Sequence, residues 1–120
     1  MKIIRKFIAS LQLREAVKQA DKAYQENNHR YFVMPSSGLD GKLIILDRNN
    51  FRGLKQKGYI DKNVSVKDLV RESFYYTPNA GGNDALPDYG IKVKAKSFFN
   101  WKEAIRMKKK FLKKQRKEKH

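Results

Sequence analysis

The chain has no cysteine. Disulfides, thiolate metal sites and thiol nucleophiles are therefore excluded, and with them one of the usual supports of a small secreted scaffold. Histidine is nearly as scarce, with His29 the one internal copy and His120 at the last position. No Ser–His–Asp set, carboxylate pair or phosphate loop can be assembled from what remains, so the sequence points to a non-enzyme with no cofactor. Gly81-Gly82 is too short and too acidic in context to cradle a phosphate, and Asp84 and Asp88 lack the companions of a calcium loop. No metal and no small-molecule substrate is expected.

Long apolar runs are also missing. MKIIRKFIASLQL opens like a signal peptide, but Phe7-Ile8-Ala9 meets Ser10 and Gln12 at once and no small-residue cleavage site follows. No window approaches the ~18 apolar residues of a membrane span. A cytoplasmic location is the expectation, with peripheral membrane contact left open. Acidic residues are few as well: twelve against twenty-eight lysines and arginines, for a net charge of +16. Such an excess makes a polyanion the natural partner, whether nucleic acid, an anionic membrane surface or an acidic protein.

What is present suffices for a modest core: 120 residues, 40% of them hydrophobic, including seven Phe, six Tyr and one Trp. One domain over residues 1–114 is expected, followed by a frayed basic tail at 115–120. Residues 1–28 have helical spacing on two opposite faces: Ile4, Phe7, Ile8 and Leu11 on one, Leu13, Ala16, Val17, Ala20, Ala23 and Tyr24 on the other. Either the helix breaks near Ser10, which would cap a second helix over about 11–27, or it is two-sided and offers a dimer contact. The break is the favoured reading. Two β-rich runs flank a Pro/Gly/Ser/Asp segment and read as a hairpin over 30–47, with Asp40-Gly41 as its turn. Asp47 or Asn49 caps a short helix over 50–57, closed by Gly58. Ser65-Val-Lys-Asp68 is a capping box, with Val64 and Leu69 as its hydrophobic staple, and starts a helix that runs to about Phe74.

After a Gly/Pro/Asn/Asp-rich loop over 79–88, residues 90–96 alternate Ile91, Val93 and Ala95 with Lys92, Lys94 and Lys96. That is the pattern of a half-buried strand. Asn100 and Glu103 form a second capping box and begin a final helix. Its last twenty residues hold ten basic side chains against two acidic ones, Glu103 and Glu118. At about 100° per residue, Trp101, Ala104, Ile105, Met107, Phe111 and Leu112 share an arc of roughly 160°, and the cations, Lys108 excepted, take the opposite one.

Three uses of that helix are open. Its basic face is merely solvated, or it binds phosphates through Lys102, Arg106, Lys109, Lys110, Lys113, Lys114, Arg116 and Lys117, or its Trp101/Phe111 face enters an anionic membrane surface or a partner's groove. Lysine outnumbers arginine eight to two there, which favours diffuse phosphate attraction over base reading. Lys92, Lys94 and Lys96 would extend the surface, or merely guard a sheet edge. Tyr75 and Tyr76, after Phe74, could stack on unpaired bases or belong to the core. No RRM or KH signature is present. A helix-turn-helix over 50–74 is disfavoured by its seven-residue connection and by a second helix in which Lys67 and Arg71 are balanced by Asp68 and Glu72, leaving no net positive charge.

The segments Arg30–Pro35, Gly41–Phe51 and Asp68–Pro78 resemble a family of small basic proteins of Bacteroidota-type bacteria, with no activity attached to it. The resemblance covers roughly residues 12–80 and implies a bacterial cytoplasmic protein or one carried by a mobile element. The fold expected is α+β: a small antiparallel three-stranded sheet, made of the hairpin and strand 90–96, with helices on one face. An N-terminal helix, two short helices and a long basic C-terminal helix complete it. The function expected is low-specificity binding of RNA or DNA. The alternative is a protein-interaction or anionic-membrane-surface adaptor, for which Trp101 would be exposed.

Overall fold

Strand β1 (Tyr31–Pro35) is the hub of the molecule. The computed structural model describes residues 2–118, so Lys119 and His120 of the expected tail lie outside the described residues. Consecutive strand residues point to opposite faces, and Phe32 and Val33 are both fully buried. The sheet is therefore covered on both sides. Strand β2 (Leu43–Asp47) pairs antiparallel with β1, setting Phe32 opposite Leu46 and Val33 opposite Ile45. The third strand, β3 (Tyr75–Tyr76), lies on the other side of β1, giving the order β2-β1-β3.

The expected α+β class holds, with three corrections. Residues 90–96 are not the third strand; they belong to the last helix, α4 (Asp88–Glu118). Ile91 and Val93, the apolar side of the supposed strand, are exposed, and the residues that dock or lean inward are Lys94, Phe98, Trp101 and Ile105, at helical spacing. Asn100 consequently lies inside α4 and caps nothing. The first helix, α1 (Lys2–Asn27), runs unbroken through Ser10, whose hydroxyl donates back to the Lys6 carbonyl at 2.9 Å. It ends at Asn28, whose φ of 60° and N–H to the Tyr24 carbonyl make a left-handed cap. Finally, helices cover both sheet faces rather than one.

Across the Val33 face lies α1, packing Ala16 and Ala20 closely on Val33, with Leu13, Tyr31, Leu43 and Ile45 around them. Small side chains let the helix approach the strand. The Phe32 face is covered by α2 (Arg48–Gln56) and α3 (Val66–Glu72), through Phe51 and Leu69. Both are set locally. The Asp47 carboxylate accepts from Asn50 N–H at 2.8 Å, and α2 closes with Gly58 N–H on Lys55 and Tyr59 N–H on Leu54, a Schellman pair that needs Gly58 at φ 82°. The Ser65–Asp68 capping box of α3 is formed in both directions.

Arg30 ties the loop after β3 to the sheet. Its guanidinium donates to the Thr77 carbonyl, Asn79 Oδ1 and the Asp84 carbonyl at 2.8–3.2 Å, and lies 4.5 Å above the Tyr76 ring. Burial lowers its pKa, opposed by Tyr76 and Asp84. Lys94, placed by sequence among surface lysines, instead closes the end of α3. Its Nζ donates to the carbonyls of Val70 (2.8 Å), Arg71 (3.3 Å) and Ser73 (2.6 Å), and desolvation lowers its pKa. Lys94→Met keeps the stem and removes the donor. It is expected to lower stability in urea unfolding by about 1–2 kcal/mol, the exposed side of the ammonium tempering the loss.

Candidate nucleic-acid interface

Helix α4 has two halves with different surroundings. Phe98 is almost fully buried and meets Phe74 edge-on at 5.2 Å, with Trp101 5.3 Å from Phe74 and 6.0 Å from Phe98. These rings, with Ala9 of α1, are the cluster that holds α4 to the body. Such aromatic contacts contribute beyond the area they bury. Trp101 is thus half-buried in the free chain, not presented outward.

Polar groups fix the same stretch. Glu103, expected to cap a helix, instead takes a bidentate grip from Arg5 of α1 at 3.1–3.2 Å and a further contact from Arg106 at 3.3 Å. Hydrogen bonds from Arg5 hold its pKa below the ordinary glutamate range, with Arg106 adding to the effect against the opposing pull of burial. A depressed carboxylate pKa gives stability that is present above the ordinary value and is lost as pH falls through the native one. The α1–α4 clamp is therefore expected to weaken below about pH 4.5. In acid unfolding curves, Glu103→Gln should flatten that limb relative to the parent.

Beyond Arg106 the packing stops. Every residue of 107–118 is exposed. At 1.5 Å per residue this is a rod of about 18 Å leaving the body, in a molecule 56 Å long and 21 Å thick. It carries Lys108, Lys109, Lys110, Lys113, Lys114, Arg116 and Lys117 against Glu118. Among the described residues none of these seven cations makes a side-chain hydrogen bond or ion pair. Lys108, set aside in the sequence as an intruder on the apolar arc, is as free as the others.

The remaining site residues divide. Lys102 is half-buried, donates to the Gly41 carbonyl at 3.3 Å and has its pKa lowered by burial and then by the charge of Lys109. A side chain on Gly41, at φ 69°, would come within 2.7 Å of that ammonium. Arg106 is shared with Glu103. Lys92 and Lys96 are exposed and, with Lys6 and Arg14 of α1, rim an open groove of about 980 Å³ between α1 and α4. Lys94 is turned away to α3. Tyr75 donates to Asp21 at 2.7 Å, and burial with that bond pushes its pKa up. Tyr76 lies under Arg30 and near Lys94, at 4.5 and 5.6 Å. Neither ring offers a free stacking face of the kind unpaired bases use.

Among the described residues no three His, Asp or Glu side chains gather to hold a metal ion, and no helix is long and apolar enough to cross a membrane. The chain matches no protein-family model, no curated protein and no solved structure.

Proposed function

We propose that the protein is a non-enzymatic nucleic-acid-binding module of low sequence specificity, acting through the projecting half of α4. The observation that carries this reading is the run of seven cations, unpaired among the described residues and set against the single carboxylate of Glu118, on a rod whose every residue is exposed. Unpaired ammonium groups retain their full attraction for phosphate, and neutralising phosphates releases condensed counterions. A bare α-helix about 10–12 Å across also suits the roughly 12 Å major groove of B-DNA, or can follow a single strand's backbone. Six of the seven are lysines, point charges without the fork that reads guanine, which supports backbone contact over base contact. The contacts are assigned to Lys109, Lys110, Lys113, Lys114, Arg116 and Lys117, joined by Lys108, with Lys102 and Arg106 at the root of the rod. A chain without cysteine suits a reducing compartment, and we place this activity in the cytoplasm.

Fluorescence polarisation with a labelled duplex and a labelled single-stranded RNA, both of arbitrary sequence, tests the reading. Binding at low salt with little preference among sequences is expected. No binding to either at low salt would sink it. Material purified without a nuclease step should also carry nucleic acid, seen as raised absorbance at 260 nm relative to 280 nm.

A further inference from the structure

The outer face of α1 is apolar where nothing covers it. Ile3, Ile4, Phe7, Ile8 and Leu11 are 86, 53, 64, 50 and 45% exposed, while Ala9 between them is buried against Phe98. Further along α1 the same outer face turns polar, with Arg14, Glu15 and Lys18 exposed. The stripe is therefore confined to the first three turns. Helices α1 and α4 run antiparallel, since Arg5 meets Glu103 and Val17 shares a groove wall with Ile91. The stripe thus lies at the end of the body from which the cationic rod departs.

What covers such a stripe must accept aliphatic side chains and welcome positive charge. A phosphate backbone does the second and gains little from isoleucine. A second copy does the first, but sets two bodies of net charge +16 against each other. No acidic residue occurs before Glu15, and none lines the groove on the Ile3 side, whose rim holds Lys6, Arg14, Lys92 and Lys96; on the Ile8 side, Asp40 and Glu103 are outnumbered by Arg5, Lys102, Arg106 and Lys109. An anionic lipid bilayer satisfies both requirements, with acyl chains beneath negative headgroups. We propose that the first three turns of α1 seat in the plane of an anionic membrane surface. The Ile/Phe/Leu stripe enters the headgroup–acyl boundary, and the groove lysines and the α4 rod face the headgroups. This inference does not depend on the nucleic-acid reading.

The test is sedimentation of the full chain with vesicles of phosphatidylcholine alone and of phosphatidylcholine with phosphatidylserine in three-to-one ratio. Phe7→Gln/Leu11→Gln is the informative variant, because both side chains are exposed and circular dichroism can verify that helix content is retained. The parent should bind the phosphatidylserine vesicles and leave the neutral ones. Each lost apolar residue should reduce partitioning about tenfold, so about a hundredfold for the pair, with duplex-DNA affinity unchanged. Three results would overturn the proposal: no binding of the parent to anionic vesicles, equal binding by the variant, or light scattering that shows a dimeric parent and a monomeric variant.

Discussion

Phe98→Ala is expected to lower the stability of the protein by about 3–5 kcal/mol, the usual penalty for emptying a fully buried aromatic site. A domain of this size has only about 5–15 kcal/mol in total, so the change removes a large share. The reason is architectural. The buried residues of helix α4 are Phe98 and Ile105, and Phe98 is the one that packs against both Phe74 and Ala9. Without it, Trp101 loses one of its two ring neighbours and α4 loses its main purchase on α1. Urea unfolding should show the fall in midpoint, and the Trp101 emission of the folded variant should move to the red. Phe98→Leu, which restores most of the volume, should lose less than about 1.5 kcal/mol. An alanine variant within about 1 kcal/mol of the parent would mean that α4 is held by something other than this cluster.

The second large effect concerns binding alone. Replacing Lys109, Lys110, Lys113 and Lys114 by glutamine should leave unfolding unchanged, because all four are exposed and unpaired among the described residues. Affinity for duplex DNA at low salt should fall at least about a hundredfold. A plot of log affinity against log salt should become shallower by roughly three to four, from a slope of about −0.9 for each phosphate neutralised. The same four substitutions made elsewhere remove equal net charge without touching the rod. Spread over Lys22, Lys57, Lys62 and Lys67, all exposed on other elements and loops, they should change the slope far less. Equal effects from both sets would show that net charge, not the rod, governs binding.

Local signals in the sequence were legible where the interaction is local. The Ser65–Asp68 box, the Asp47 cap and the left-handed Gly58 depend on residues a few positions apart, the hairpin over 30–47 on neighbours in sequence joined by one turn segment, and each forms. Signals that depend on the partner surface were not. The alternation of Ile91–Lys96 is compatible with a strand until one knows that Lys94 finds three carbonyls at the end of α3 and that Phe98, Trp101 and Ile105 continue a helical stripe. Ser10 looked like a cap because two apolar faces on one helix suggested a break; α1 instead has one face on the sheet and one on solvent. Asn100 and Glu103 had the spacing of a capping box, yet Glu103 is claimed by Arg5, ninety-eight positions away. Tyr75 and Tyr76 form a two-residue strand because β1 offers a free edge there. Of the expected site, the six cations from Lys109 to Lys117 come out together on the rod, while Lys94 and both tyrosines are occupied in the fold.

The projecting half of α4 as the contact surface is tested most directly by titrating the ¹⁵N-labelled protein with a short duplex and following the backbone amides by NMR. Shifts concentrated in residues 107–118 and fading toward the Phe98 cluster are the expected result. Shifts centred on the sheet, or on the α2–α3 layer, with 107–118 unmoved, would contradict it.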